Sequence, residues 1–218
     1  SYWTGPLETL LLDRVWNGFD GKLPKEERLA KLAPRGLGEP AVTADSLNRA
    51  LDDYCLKTLD VKHERRQPVK EEDEIILRIV YGDELSAHDE KSSEWQIDHT
   101  VPIDFLKRSH LEKTKPNKWP INHVANLALM KGTLNNSKRA KTIFEFIDEL
   151  RSQDKKREMR SCQQSLLSDP ALLQKEIGEV LWSEDFDEKI YTNYLLMRFD
   201  DLRLRVLIHL ELISEDGP

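Results

Sequence analysis

Cysteine is scarce in this 218-residue sequence, which contains only Cys55 and Cys162. Two isolated cysteines supply neither a disulfide framework nor the paired cysteines of a zinc ribbon. The sequence also lacks any apolar run near the roughly 18 residues that a membrane-spanning helix needs. We therefore expect a reduced, cytoplasmic protein that does not associate with membranes.

The amino terminus shows no sign of a secretory signal. It reads Ser1-Tyr2-Trp3-Thr4-Gly5, without a basic segment or a long apolar stretch, so no signal peptide is predicted. The missing initiator methionine fits either a processed or tag-derived end or a chain cut from a longer protein. Aromatic residues are few, at 7%, but 39% hydrophobic and 33% charged residues are typical of a globular protein rather than a disordered chain.

Negative charge predominates, and it is unevenly distributed. The chain carries a net charge of −7, yet the window from Val101 to Lys141 holds nine basic and two acidic residues, a net +7, which leaves −14 for the rest. A basic face on an acidic body is typical of a polyanion site, although a solvated lysine-rich loop explains it equally well. The basic residues of the window are Lys107, Arg108, Lys113, Lys115, Lys118, Lys131, Lys138, Arg139 and Lys141.

Apolar residues at helical spacing predict helices at both ends of the chain. For the segment 70–81, a strand competes with the helix because the run Ile75 to Tyr81 is rich in β-branched residues. Thr43 or Asp45 is the expected cap of the third helix. The predicted helical segments are Pro6–Phe19, a short helix from Pro24, Leu47–Leu59, Lys70–Tyr81 and Phe186–Ile213.

The middle of the chain has a different pattern. Strand-like runs at Glu94–Val101 and Val124–Met130 are separated by a basic loop, and Thr133 is expected to cap one helix that continues to Leu150. Ser152–Arg160 is predicted to be a solvated face or connector. The predicted fold class is therefore mainly α (α+β), with a strand–loop–strand–helix unit embedded among helices. We divide the chain into a helical region 1–90, a core 91–152 and a helical region 153–218 that packs on the core.

A set of polar residues within this unit carries the functional signal. Asp98-His99-Thr100-Val101-Pro102 lies at the end of the first strand, Asn126-Leu127 lies early in the second, Asn135 follows Asn126 by nine residues, and Lys138 follows three residues later. An Asp-His pair alone is usually structural. The joint pattern, however, resembles the HNH, or ββα-metal, nucleases, whose motif reads D-H-x-x-P, N-L, then H or N, then K.

The chemistry of phosphodiester hydrolysis suits these residue types. A neutral imidazole, with an ordinary pKa near 6.5, is a suitable general base, so His99 is the candidate base. Hard cations prefer oxygen ligands, so Asp98 and Asn135 are candidate ligands of Mg²⁺ or Mn²⁺. Asn126 is expected to hold the loop bearing His99 through backbone hydrogen bonds.

Two further residues complete the catalytic candidates. His123 is expected to bind the same loop or a phosphate. Lys138, one helical turn beyond Asn135, is expected to neutralise phosphate charge, with an ordinary exposed lysine as the alternative. The candidate nucleic-acid contacts are Lys107, Arg108, Lys131, Arg139 and Lys141.

Within the HNH class, the sequence is most similar to the C-terminal domain of GmrSD-type, modification-dependent restriction nucleases. The similarity lies in His123-x-x-Asn126-Leu127, in Leu134-Asn135-Asn136-Ser137, and in a tryptophan, Trp182, before the long C-terminal run. The resemblance implies a sensor NTPase domain or partner protein, because this chain has no phosphate-binding loop of its own. Lys131 and Leu134 stand where many HNH proteins have zinc-binding cysteines, so no structural zinc is expected, and Trp95, Phe105 and Trp119 are expected to support the fold by packing.

The sequence therefore predicts an HNH endonuclease that nicks or cuts DNA, with modified phage DNA as a possible target and antiviral restriction as the implied role. Two alternatives stay open. One is an RNA-cleaving HNH nuclease, because a single-metal site can act on either backbone. The other is a non-catalytic helical module with a degenerate motif that binds nucleic acid or a partner protein.

Overall fold

A computed structural model describes residues 44–61, 68–81, 95–108, 119–167, 173 and 186–209. Two strands, β1 (Trp95–His99) and β2 (Leu127–Lys131), lie among helices, and a 3-10 turn at Val124–Asn126 precedes β2. The predicted helices before residue 44, the loop 82–93 and Trp182 lie outside the described residues. The α-helices are α1 (Ala44–Leu59), α2 (Glu71–Val80), α3 (Ile103–Arg108), α4 (Gly132–Lys138), α5 (Ile143–Ser152), α6 (Lys156–Leu166) and α7 (Glu188–His209).

The mainly α (α+β) fold class is confirmed at this level: helices predominate around a two-stranded antiparallel sheet. Strand β1 pairs with β2 so that Trp95 lies opposite Lys131 and His99 lies opposite Leu127. Helix α4 contacts both strands, and α2 and α6 contact β2. Because helices surround it, β2 is buried from Leu127 to Met130 without the alternation of a half-exposed strand.

The helix predicted for 70–81 is confirmed against the competing strand. Helix α2 buries five of the six residues from Ile75 to Val80. The sixth, Arg78, is half-exposed and forms an ion pair with Glu74. The helix predicted at Leu47–Leu59 is also present, beginning at Ala44. In α1 the apolar residues recur at intervals of three or four, which places them on the face that packs against the core, whereas α2 is buried on most sides and only Glu74 and Arg78 are half-exposed in its described part.

The prediction of one helix from Thr133 to Leu150 is wrong. Helix α4 ends at Lys138, and Arg139 adopts a positive φ of 55° that ends the helical path. Helix α5 then begins after Thr142, whose hydroxyl accepts from the Glu145 N–H while the Glu145 carboxylate accepts from the Thr142 N–H. This reciprocal capping satisfies two backbone donors and fixes the start of α5.

Three other segments differ from the prediction in detail. The second strand begins at Leu127, because Val124–Asn126 form a 3-10 turn. The predicted basic loop contains a short helix, α3. The segment 152–160 is solvated, as predicted for a surface, yet α6 begins within it at Lys156.

Helix α7 supplies much of the core. Its buried residues recur every three or four positions, so one long face packs against α1, α2 and the 3-10 turn. A single hydrophobic cluster includes residues of 1–90, 91–152 and 153–218. Trp119 packs against Phe186 and Tyr191 of this region, with ring centroids 6.0 and 5.3 Å apart. Within the described residues, no helix is both long enough and apolar enough to cross a membrane.

Candidate nuclease site

Asn126 connects the end of β1 to the segment that precedes β2. Its Oδ1 accepts hydrogen bonds from the Val101 N–H and from the Thr100 hydroxyl, both at 2.9 Å. Its Nδ2 donates to the carbonyls of Val101 at 3.0 Å and Ile121 at 2.8 Å. Asn126 is fully buried, so this amide satisfies its bonding capacity inside the protein. These contacts hold the backbone directly after His99 in one place, the role expected of Asn126 from the sequence.

Lys138 is buried at the same point rather than exposed, with 1% of its side chain accessible. Its ammonium forms an ion pair with Asp98 Oδ2 at 2.9 Å and donates to the carbonyls of His99 at 3.0 Å and Lys141 at 2.9 Å. Three acceptors use the three N–H groups of an ammonium. The structure therefore gives Lys138 a positioning role within the fold, in contrast to the direct phosphate contact expected from the sequence.

Asp98 and Asn135 lie side by side. The Asn135 amide nitrogen donates to the Asp98 carboxylate, 3.1 Å from Oδ2 and 3.2 Å from Oδ1. A nitrogen donor that faces carboxylate oxygens makes a favourable contact without a metal ion. A 180° rotation of the amide would turn its oxygen toward Asp98 over the same distances. The position of the two side chains thus permits a cation-bound and a cation-free arrangement.

The oxygen donor set fits a hard divalent ion. Neighbouring ligands of an octahedral Mg²⁺ ion at about 2.1 Å are about 3 Å apart, close to the separation that the Asn135 oxygen would have from the Asp98 oxygens after this rotation. Asp98 is 17% accessible, so the carboxylate can be reached from solvent. In the part of the chain that the structure describes, no group of three or more His, Cys, Asp or Glu side chains is placed to hold a metal ion. Asp98 and Asn135 would therefore hold an ion whose remaining ligands are water or phosphate oxygens.

His99 ends β1 and is buried. Its Nε2 lies 2.8 Å from the Asn122 side-chain oxygen. Asn122 lies in the turn just before the 3-10 segment, and the sequence analysis did not select it. The pairing of β1 with β2 and the hydrogen bonds of Asn126 to Val101 and Ile121 bring this turn to His99, so no local sequence pattern indicated the contact.

His123 is a structural residue. Its Nδ1 accepts from the Ala125 N–H at 3.1 Å and so caps the 3-10 turn. Its Nε2 lies 3.3 Å from the Cys55 carbonyl and 3.6 Å from the Cys55 sulfur on α1. Burial lowers the pKa of His123 to about 4, and burial also raises the pKa of the Cys55 thiol to about 12. A neutral, buried ring with both nitrogens bonded inside the protein is not placed to contact phosphate.

The candidate nucleic-acid contacts differ in their surroundings. Lys131 lies 5.7 Å from the centre of the Trp95 ring, which restrains its side chain by a cation–π contact. Lys141 pairs with Glu149, and this hydrogen bond lowers the pKa of the Glu149 carboxyl below its ordinary value. Arg139 is exposed directly after α4. Lys107 and Arg108 end α3.

A second set of contacts missed by the sequence analysis connects the site to α7. The Tyr194 hydroxyl donates to the Thr100 hydroxyl at 2.6 Å, and Thr100 in turn donates to Asn126. Arg198, which is fully buried, donates to the carbonyls of Ala125 at 2.5 Å and Leu127 at 2.8 Å, the residues on either side of Asn126. Helix α7 therefore supports the segment that holds the His99 loop.

Comparison with known proteins identifies no relative. No protein-family model matches the chain, and neither a curated protein nor a solved structure matches it. The functional interpretation therefore rests on the arrangement of side chains described above.

Proposed function

We propose that this chain is a metal-dependent phosphodiesterase and, more specifically, an HNH endonuclease that nicks or cuts DNA. The observation that carries the proposal is the position of the Asn135 amide within 3.2 Å of the Asp98 carboxylate, on the residue next to His99, in two antiparallel strands followed directly by a helix. Each of these residues was selected from the sequence for this chemistry. Their spacing in the chain alone does not require that they meet.

In the proposed mechanism, Asp98 and Asn135 would hold Mg²⁺ or Mn²⁺, which supplies Lewis-acid stabilisation of charge on the phosphate. The His99 imidazole accepts a proton from the attacking water. Asn126 fixes the backbone that follows His99, and Lys138 holds the Asp98 carboxylate and the His99 carbonyl together. The basic residues near the site, Lys131, Arg139 and Lys141, attract the nucleic-acid backbone.

The biological setting of this proposal comes from the resemblance to restriction nucleases. It includes plain or modified phage DNA as substrate, and a sensor NTPase domain or partner protein. Fold and site chemistry do not by themselves specify such a role. A substrate panel of plain DNA, modified DNA and structured RNA separates the DNA nuclease from the RNA nuclease.

One observation favours a non-catalytic alternative. Lys138 already neutralises Asp98, so the site is electrostatically balanced without a metal ion. A module with a degenerate motif that only binds nucleic acid would have the same ion pair. The nuclease needs a divalent ion to cleave nucleic acid, whereas the binding module contacts nucleic acid without one.

The test is incubation of the full chain with supercoiled plasmid and either Mg²⁺ or Mn²⁺. The nuclease proposal predicts nicked or linear plasmid, and complete inhibition by a chelator. Metal-independent binding of DNA and RNA, with no cleavage of any substrate in the panel, would support the binding module and overturn the nuclease.

A further inference from the structure

The hydrogen bond between His99 and Asn122 determines which ring nitrogen bears the proton. An amide oxygen only accepts hydrogen bonds, so a His99 Nε2 that lies 2.8 Å from Asn122 Oδ1 must donate. A neutral imidazole carries hydrogen on one nitrogen and a lone pair on the other. With Nε2 protonated, Nδ1 is the basic atom of the ring.

The backbone on both sides of this hydrogen bond is fixed by one residue. Asn126 donates to the carbonyl of Ile121, which precedes Asn122, and also binds both backbone groups of Val101, two residues after His99. The two partners are therefore held at a set separation by a buried amide. The fold therefore sets the distance between Asn122 and His99, because the backbone next to each residue is held in place.

The turn that carries Asn122 is also anchored to α7. Trp119 packs against Tyr191, and the Tyr191 hydroxyl donates to the Pro120 carbonyl at 3.4 Å. Within the turn, the His123 N–H donates to the Pro120 carbonyl at 3.1 Å. These contacts hold the backbone on both sides of Asn122 against the core.

We propose that Asn122 is a positioning residue that keeps His99 in the Nε2–H tautomer and so presents Nδ1 as the general base. The consequence for catalysis rests on the proposed nuclease function. The hydrogen bond that a histidine makes through one ring nitrogen determines whether the other nitrogen is protonated. Without the hydrogen bond to Asn122, Nδ1 carries the proton in part of the molecules and cannot accept one from water. A purely structural role for Asn122 makes a different prediction, because it would affect only folding.

The spectroscopic test measures the ¹⁵N chemical shifts of the His99 ring at about pH 8, where an ordinary imidazole is neutral. The signals are assigned by their loss in His99→Asn. The wild-type chain and Asn122→Asp, which keeps an oxygen acceptor, are expected to show protonated Nε2, whereas Asn122→Leu shows a mixture of tautomers. Protonated Nδ1 in the wild type, or an unchanged tautomer in Asn122→Leu, overturns the proposal.

The kinetic test compares the same variants as purified full chains, with rates normalised to the folded fraction. Asn122→Leu is expected to lower kcat by roughly 100-fold with little change in KM, whereas Asn122→Asp stays within about tenfold of wild type. Asn193→Leu is the matched control, because Asn193 is exposed on α7. A wild-type kcat in Asn122→Leu overturns the positioning role.

The two tests separate this inference from the proposed function. If the wild-type chain cleaves no substrate with either metal ion, the nuclease proposal fails, and the ring shifts still decide whether Asn122 sets the tautomer. If the wild type cleaves and Asn122→Leu matches it in both kcat and tautomer, only the role of Asn122 is overturned.

Discussion

The Lys138 ammonium joins the two halves of the candidate site at the scale of single residues. It contacts a side chain on one residue, Asp98, and the backbone of the next, His99. A buried ammonium costs several kcal/mol to desolvate, and its position here is stable because all three N–H groups have oxygen partners. Lys138 therefore places the proposed metal ligand and the proposed base relative to each other.

Lys138→Met is expected to lower the free energy of unfolding by about 3 kcal/mol, because it leaves the Asp98 carboxylate and two carbonyls without their partner. The measurement is denaturation by urea followed by circular dichroism. Lys156→Met is the matched control: its ion pair with Asp154 is exposed, with 74% and 82% of the side chains accessible, so we expect a change below about 0.5 kcal/mol. Equal effects of the two substitutions would rule out the positioning role.

The buried ring of His123 makes stability depend on pH. Burial lowers its pKa to about 4, whereas the unfolded chain has an ordinary value of about 6.5, so below pH 6.5 the unfolded state binds the extra proton. The free energy of unfolding is therefore expected to fall, as pH drops from about 6.5 to about 4, by an amount on the order of 3 kcal/mol.

The comparison variant for this pH effect is His123→Asn, which keeps a side-chain acceptor for the Ala125 N–H but cannot titrate. Urea denaturation between about pH 4 and 7 should give a flatter pH dependence for His123→Asn than for the wild type. Parallel curves for the two proteins would show that His123 is not buried in the neutral form.

At the scale of elements, α7 is joined to the site by a buried arginine. Arg198 donates to the carbonyls of Ala125, Leu127 and Leu166, and to the Tyr81 hydroxyl on the residue after α2. One side chain thus ties together the 3-10 turn, β2, the end of α6 and the end of α2. Arginine suits this position because its planar guanidinium presents several donors in a fixed geometry.

Arg198→Met is expected to destabilise the protein by about 3 kcal/mol or more, because buried carbonyls lose their donors. Urea denaturation of this variant should be compared with Arg205→Met, since Arg205 lies on the same helix but is exposed and contacts one carbonyl, that of Leu167. We expect less than about 1 kcal/mol for that control. Similar values for the two would mean that α7 is held by its apolar face alone.

Elements with a regular apolar period were predictable from the sequence, and elements defined by distant contacts were not. Helices α1, α2 and α7 follow from their three-and-four spacing. The break after Lys138 was missed although it has a local signal, because Thr142-x-x-Glu145 is a capping box that starts α5. The 3-10 turn has no such signal, since its cap is the ring of His123 and that ring is held from α1 by Cys55.

The same distinction applies to the site. The resemblance to the HNH motif led to the expectation that Asp98 lies near Asn135, and the two side chains lie within 3.2 Å of each other. The partners Asn122 and Arg198 were missed, because their contacts cross 23 residues to His99 and 71 residues to Leu127 without any periodic signal. Residue type alone also misled for Lys138 and His123, which are polar residues in buried positions.

At the scale of the whole molecule, the site residues and the basic residues occupy one part of an acidic chain. The net charge is −7, and the basic window 101–141 begins two residues after β1 ends and includes the Asn122 turn, β2 and α4. An acidic remainder repels nucleic acid, so productive contact is expected to be restricted to the basic window. Helix α7 packs against the 3-10 turn of this window, and its Arg198 donates hydrogen bonds to the carbonyls of Ala125 and Leu127.

The most direct measurement of the central claim compares the wild type with His99→Ala in nicking of supercoiled plasmid by the purified full chains with Mg²⁺ or Mn²⁺. We expect cleavage by the wild type and by the surface control Asn193→Leu, and a loss of at least about 100-fold in His99→Ala, with unchanged circular dichroism. Plasmid nicking by His99→Ala at the wild-type rate would contradict the account.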